Sequence, residues 1–211
     1  MNRDRVINVD LDGVVYPWHE VFATYASLTK ESDQWHRLDN GSSYRFVEPT
    51  IWDFWEQWNM SKEQWVALFR KGVNDGYIWQ EGKPIKGAQD TLWRLSDDGY
   101  LIRYITHRLV YAGNHRQSVV STATWLDNWN LPYWDLCFLS KYTNKSQLAS
   151  HFAIDDKWES VVSQGGAGSI AALFARRWNQ SFWAPEYTVH SWRGFYDFVN
   201  DTVPTETVDE R

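Results

Sequence analysis

The chain has 211 residues, a formal net charge of −6 and 43% hydrophobic residues. That is enough for a core domain with a small insert, and too apolar for disorder. The negative charge excludes an extended nucleic-acid surface, which rests on neutralising many phosphates, and leaves open a local pocket for one phosphate. The single cysteine, Cys137, excludes an internal disulfide; in the apolar run Leu136 to Leu139 it reads as a buried structural thiol and fits a reducing compartment.

No apolar run reaches membrane-spanning length, and Met1 to Arg5 lead into a strand rather than a signal peptide. A cytoplasmic protein without a membrane partner is expected; a homodimer is left open. Val6 to Val9 reads as a short buried strand that ends at Asp10-Leu11-Asp12-Gly13. From Val14 to about Gly82 the apolar residues become mostly aromatic and recur at helical spacing: Trp52, Trp55 and Trp58, then Trp65, Leu68 and Phe69. Ser61-x-x-Gln64 predicts a capping box at the start of the second of these helices, and Gly72 its end. The stretch from Ser27 to Ser43 is polar and reads as loop.

Alternation of strand and helix resumes at Pro84. A helix is expected over Ala88–Asp98, stopped by Gly99, then a strand over Tyr100–Ile105 with Thr106 at its end. A helix over Val119–Trp129 and a strand over Leu136–Leu139 follow. Next come a short helix over Lys145–His151, a strand over Phe152–Ile154 closed by Asp155-Asp156, a strand over Ile170–Phe174 and a helix over Trp192–Val199. This pitch predicts an α/β fold, a Rossmann-like parallel sheet with helices on both faces. The core would take residues 1–15 and 83–200, a helical insert 16–82, and a frayed tail 201–211.

In such sheets ligands bind beyond the carboxyl ends of the strands, where Asp10, Asp12, Thr106, Asp155 and Asp156 all fall. Either Asp of the first pair taken singly could be a helix cap. Four aspartates at one crevice raise one another's pKa unless a cation relieves them, and oxygen-only ligation suits Mg²⁺ better than zinc. A carboxylate beside such an ion can attack phosphorus, and a second carboxyl can protonate the leaving oxygen and then take a proton from water. Thr106 can bind a phosphoryl oxygen through its hydroxyl, and a nearby lysine can neutralise transition-state charge.

Asp10-Leu11-Asp12-Gly13-Val14, Thr106 after a strand, Lys145 and Ile154-Asp155-Asp156 resemble, in order and spacing, the four motifs of the haloacid dehalogenase (HAD) superfamily. The resemblance makes Asp10 the nucleophile and Asp12 the acid, and Asp12 points to phosphate hydrolysis rather than dehalogenation. It implies a Mg²⁺ site at Asp10, the Asp12 carbonyl and the Asp155/Asp156 pair, either of which can be the direct ligand, with the resemblance leaning to Asp156. The insert stands where the superfamily carries C1 caps. Pro84-Ile85-Lys86-Gly87-Ala88, Lys145 ten residues before Asp155, His190-Ser191-Trp192, and Leu173-Phe174 followed by Trp178-Asn179 are similar to the 5'(3')-deoxyribonucleotidase branch.

That branch implies a nucleoside monophosphate as the small-molecule substrate. Trp18, eight residues after the nucleophile, matches an aromatic that contacts the nucleobase. Tyr77 and Trp79 stand near the hinges as further stacking candidates, although each of the three, Trp18 included, reads first as packing; the tryptophans at 52, 55, 58 and 65 read chiefly as insert core. The branch carries Ser where this chain has His107 followed by Arg108. His107 reads equally as a phosphate ligand or as a partner for a backbone group. Arg116 substitutes for a further lysine at the phosphate, although it and Arg108 also fit a solvated or ion-paired role. Lys145 is preferred to Lys141 by its spacing to Asp155. Two rivals remain: a phosphatase of nucleic-acid 3' ends or sugar phosphates, and a nucleotide-binding protein without useful turnover.

Overall fold

Val6–Asp10 forms β1, and its first four residues are buried because strands lie against it on both sides. The computed structural model describes residues 5–29, 48–58 and 60–202. Leu101–Thr106 (β2), Asp135–Phe138 (β3), Phe152–Asp155 (β4), Ile170–Phe174 (β5) and Thr188–Val189 (β6) complete a parallel sheet of order β3-β2-β1-β4-β5-β6. A parallel sheet is covered on both faces, so its central strands read as continuous apolar runs rather than as alternation. The chain winds from β1 through β2 to β3, then returns to place β4 on the other side of β1. That reversal opens a crevice at the carboxyl ends of β1, β2 and β4.

Helices connect the strands: Ala88–Asp97 (α4), Leu109–Ala112 (α5), His115–Asn128 (α6), Trp158–Gly166 (α7) and Trp192–Thr202 (α8). Between β1 and α4 the chain adds no described strand. It forms Trp18–Leu28 (α1), Phe54–Gln57 (α2) and Lys62–Asn74 (α3) instead. The aromatics of this insert pack on one another: Trp55 stacks on Trp65 at 4.7 Å, Trp18 meets Phe54 edge-on at 5.0 Å, and Phe22 stacks on Trp58 at 6.1 Å. Their cluster is continuous with the sheet's core. Arg70 of α3 donates to the Tyr111 carbonyl at 3.1 Å, and Gln80 donates to Ser121 Oγ at 3.0 Å, so the insert rests on α5 and α6. None of the described helices is long and apolar enough to cross a membrane.

Several sequence expectations need correction. The capping box forms, with Gln64 N–H donating to Ser61 Oγ at 3.2 Å and Ser61 N–H to Gln64 Oε1 at 2.8 Å. Gly72 does not end α3; it lies inside the helix, where a β-carbon would come 2.6 Å from Ile78 Cδ1. Gly76, with φ +73°, turns the chain instead. Ser27 and Leu28 finish α1 rather than opening a loop, and residues 30–43 of that expected loop lie outside the described residues. The helix expected over Lys145–His151 is a single 3-10 turn, Lys145–Gln147, since the chain must extend again to enter β4. Residues 201 and 202 belong to α8, and 203–211 of the expected tail lie outside the described residues. Cys137 is half-buried rather than buried, in a strand whose four residues all keep some exposure, and its thiol is pushed up by burial.

Candidate active site

Sheet register sets the site. Val9 pairs with Ile154, so the next residues, Asp10 and Asp155, end their strands level with each other. Asp10 pairs with Ile105, which puts Thr106 one step beyond it on the other side. Thr106 is buried, and its Oγ1 accepts the Arg108 N–H at 3.3 Å.

Lys145 enters from the 3-10 turn. Its ammonium lies 2.8 Å from Asp10 Oδ1 and 2.6 Å from Asp155 Oδ2, and its side chain is buried. Those carboxylates hold it charged and raise its pKa, against the effect of burial, the largest single influence. Lys141 instead lies exposed over the Tyr142 ring. Asp10 Oδ1 also accepts the Leu11 N–H at 2.9 Å, while its Oδ2 takes no hydrogen bond from the described residues. Burial, then the Asp155 and Asp12 charges, pushes the Asp10 carboxyl up to about 7 against the opposing pull of Lys145.

Asp155 has both oxygens engaged: Oδ2 by Lys145 and Oδ1 by the Lys157 N–H at 2.9 Å. Asp156 is buried, and Trp178 Nε1 donates to its Oδ2 at 3.1 Å; Asn179 Nδ2 donates to its carbonyl at 2.8 Å. Burial, followed by the charges of Asp10 and Asp155, raises the Asp156 pKa well above the ordinary carboxylate range. Asp10, Asp155 and Asp156 each offer an oxygen within 4.8 Å of the others. Three carboxylates so crowded, two of them pushed towards protonation, form a cluster compatible with a bound divalent cation. Gly13 crosses directly over it. Its φ is +83°, and a β-carbon there would collide with Asp156 Oδ2.

The Asp12 side chain is 27% exposed and is gripped by Arg108, whose Nη2 lies 2.8 Å from Asp12 Oδ1. Of the two roles open to Arg108 in the sequence, solvated or ion-paired, the structure shows the second, with the arginine buried and Asp12 as its partner. The available signal was its position two residues beyond Thr106, at the end of a buried strand. His107 is half-buried, and its Nε2 lies 3.0 Å from the Thr143 carbonyl, which is the backbone partner expected for it; burial lowers its pKa. Arg116 is exposed in the first turn of α6 and, among the described residues, joins no ion pair with the cluster. Trp79 is 2% exposed and packed on Phe69, the packing role rather than an open stacking face.

Trp18 and Tyr77 do face open space. With Gly13, His19, Arg176 and Trp178 they line a cavity of about 570 Å³ between insert and core. Asp10 and Asp12 do not line it; it adjoins the carboxylates through Gly13 and Trp178. A smaller cleft of about 280 Å³ opens beside Lys145 and is lined by His107, Lys141 and Lys157. Lys157 lies 5.3 Å from the Trp52 ring of the insert.

His19, which sequence reasoning missed, sits 4.5 Å from the Trp178 ring and 4.8 Å from Phe54. Burial, with Arg176 adding to it, lowers its pKa from 6.5 to about 3. The unfolded chain therefore takes up a proton near pH 6.5 that the folded chain refuses until near pH 3. His19 withdraws stability as pH falls through that window, by up to about 1.4 kcal/mol per pH unit. Replacing His19→Phe is expected to flatten this acid limb in urea unfolding measured across the window. Parallel profiles for variant and wild type would contradict it.

A relative from Chlorobaculum tepidum, named "Putative 5'(3')-deoxyribonucleotidase", is 31% identical over 194 residues, which cover 92% of this chain and 89% of that protein. Among solved structures, a haloacid dehalogenase-like hydrolase from Streptococcus pneumoniae superposes with a TM-score of 0.60 at 15% identity, covering 94% of this chain and all of that one (100%). The HAD-hydrolase YfnB of Bacillus subtilis, solved bound to magnesium, gives a TM-score of 0.58 at 14% identity over 94% of this chain and 100% of its own. At those identities the structures speak for the fold alone. Residues 4–204 match the family model described as "5' nucleotidase, deoxy (Pyrimidine), cytosolic type C protein". With that match spanning nearly the whole chain, the protein belongs to this 5'-nucleotidase family, a branch of the HAD phosphatases.

Proposed function

We propose that this phosphatase cleaves nucleoside monophosphates through a phosphoryl group carried on Asp10. The observation that supports it most is the asymmetry of that carboxylate: Lys145 and the Leu11 N–H hold Oδ1 while Oδ2 stays free, beside two further buried carboxylates. Asp10 Oδ2 attacks phosphorus, the bond to the leaving oxygen breaks, and Asp12 gives that oxygen a proton. In the second step Asp12 takes a proton from water, whose oxygen bonds to phosphorus as the bond to Asp10 breaks. Thr106 and Lys145 hold the phosphoryl oxygens and balance their charge.

Asp10, Asp155, Asp156 and the Asp12 carbonyl would hold Mg²⁺, which lessens repulsion between the attacking carboxylate and the phosphate. The engagement of both Asp155 oxygens, by Lys145 and by the Lys157 N–H, supports Asp156 as the direct contact. The segment 16–82 serves as a cap on the core of residues 1–15 and 83–200, and its Trp18 and Tyr77 meet the nucleoside across the larger cavity. The net charge of −6 speaks against polymeric nucleic acid as substrate. A reducing, cytoplasmic setting fits the lone Cys137.

A phosphate-release panel with Mg²⁺ tests the reading, using nucleoside 5'- and 3'-monophosphates, with ribose and deoxyribose, beside simple sugar phosphates. Nucleoside monophosphates should turn over fastest. Faster release from sugar phosphates would reject the substrate. Tight nucleotide binding by calorimetry without any release would reject the enzyme.

A further inference from the structure

Arg108 carries a side chain with no exposure, yet its charge faces neither Asp10 nor the three-carboxylate cluster. Its guanidinium meets the Asp12 carboxylate fork to fork, Nη2 donating to Oδ1 at 2.8 Å and Nε to Oδ2 at 3.0 Å. Nη1 donates to Thr122 Oγ1 of α6 at 2.9 Å. The same group lies 4.6 Å from the Tyr16 ring and 5.2 Å from the Trp79 ring. Tyr16 is where the chain leaves the sheet for the insert, and Trp79 is near where it returns. Trp79 N–H donates to the Tyr16 hydroxyl at 2.8 Å, and Trp79 holds φ +72°, a conformation a bulky residue keeps only when its surroundings impose it. Tyr16, Trp79 and Thr122 are all buried, so the arginine is fixed from three sides and Asp12 is its one partner with substantial exposure.

We infer that Arg108 is a positioning residue for Asp12, fixing the plane of its carboxylate against both crossings between core and insert, so that the acid is aligned with the leaving oxygen when the insert is seated. The inference rests on the reading of Asp12 as proton donor. A planar fork sets the orientation of a carboxylate, which a lysine, as a point charge, cannot do.

The consequence depends on the leaving group. The alkoxide of a nucleoside monophosphate needs a proton to depart, whereas the phenolate of p-nitrophenyl phosphate leaves without one. In Arg108→Lys, kcat/KM, which reports the steps up to departure of the leaving group, should fall about 10- to 100-fold more on the nucleotide than on the aryl ester. Asp12→Asn, measured beside it, should show the larger discrimination. Equal losses on both esters in Arg108→Lys, or none on either, would overturn the positioning role while a discriminating Asp12→Asn leaves the acid in place. If Asp12→Asn treats both esters alike, the acid reading fails and the inference falls with it. Should Arg108→Lys not fold, Thr122→Val replaces it, since it removes one hold on the guanidinium and keeps the charge. A smaller shift of the same ratio supports the inference, and an unchanged ratio overturns it.

Discussion

Asp10→Asn should give a folded protein whose phosphate release is lower by more than about 10³-fold. An amide oxygen does not attack phosphorus to form the acyl-phosphate. Folding should survive for a physical reason. Burial and the neighbouring Asp155 and Asp12 charges already push the Asp10 carboxyl up to about 7, so the native site tolerates a neutral group there. The amide oxygen can keep the Leu11 N–H and the Lys145 ammonium, and Lys145 retains Asp155 at 2.6 Å. Urea unfolding should therefore find the variant at least as stable as wild type in the absence of metal. Undiminished turnover in that folded variant would remove Asp10 from the chemistry.

Gly13→Ala should damage stability and metal binding together. The added methyl must take φ +83° and enter the space of the Asp156 carboxylate. Left-handed backbone costs a non-glycine residue about 1–2 kcal/mol, and overpacking costs about 1–3 kcal/mol more. In the wild type, Mg²⁺ at about 100 times its Kd should add about 2.7 kcal/mol to the free energy of unfolding. In Gly13→Ala most of that increment should disappear, because Asp156 has to move. Denaturant titrations with and without Mg²⁺ measure both quantities. An unchanged magnesium increment in the variant would show that Asp156 and its glycine do not form the cation site.

The sheet was legible where burial dictates composition. Val6–Val9, Phe152–Ile154 and Ile170–Phe174 are short apolar runs, and each became a strand within a residue or so of its expected bounds. The polar ends of the first two mark the crevice because parallel strands all open the same way. Elements whose pattern is weak did not show. The helix over Trp158–Gly166 ends in two glycines, and the two-residue strand Thr188–Val189 is too short to carry a period. The first turn of the helix His115–Asn128 is polar, so only its later part had a recognisable face.

The site divides the same way. Lys145 stands ten residues from Asp155, and a turn followed by one strand brings the two together, a local matter that spacing expresses. The Arg108–Asp12 pair joins residues 96 apart, and nothing local to either sequence announces it. Trp79 was open to packing or to stacking on a ligand, because proximity to a hinge says nothing about which way a ring faces. Its ring turned inward onto Phe69 and the Arg108 guanidinium. His19 escaped notice since a lone histidine beside aromatics reads as packing; its open face depends on Trp178, far away in sequence.

The most direct test is an acid quench of wild type and Asp10→Asn during turnover of a radiolabelled nucleoside monophosphate with Mg²⁺, followed by mapping of the protein-bound label. Label that is stable in acid, labile in base, confined to the peptide holding Asp10 and missing from the variant is the expected result. Phosphate release from the wild type with no label on the protein, or with label on a peptide lacking Asp10, would contradict the aspartyl-phosphate route.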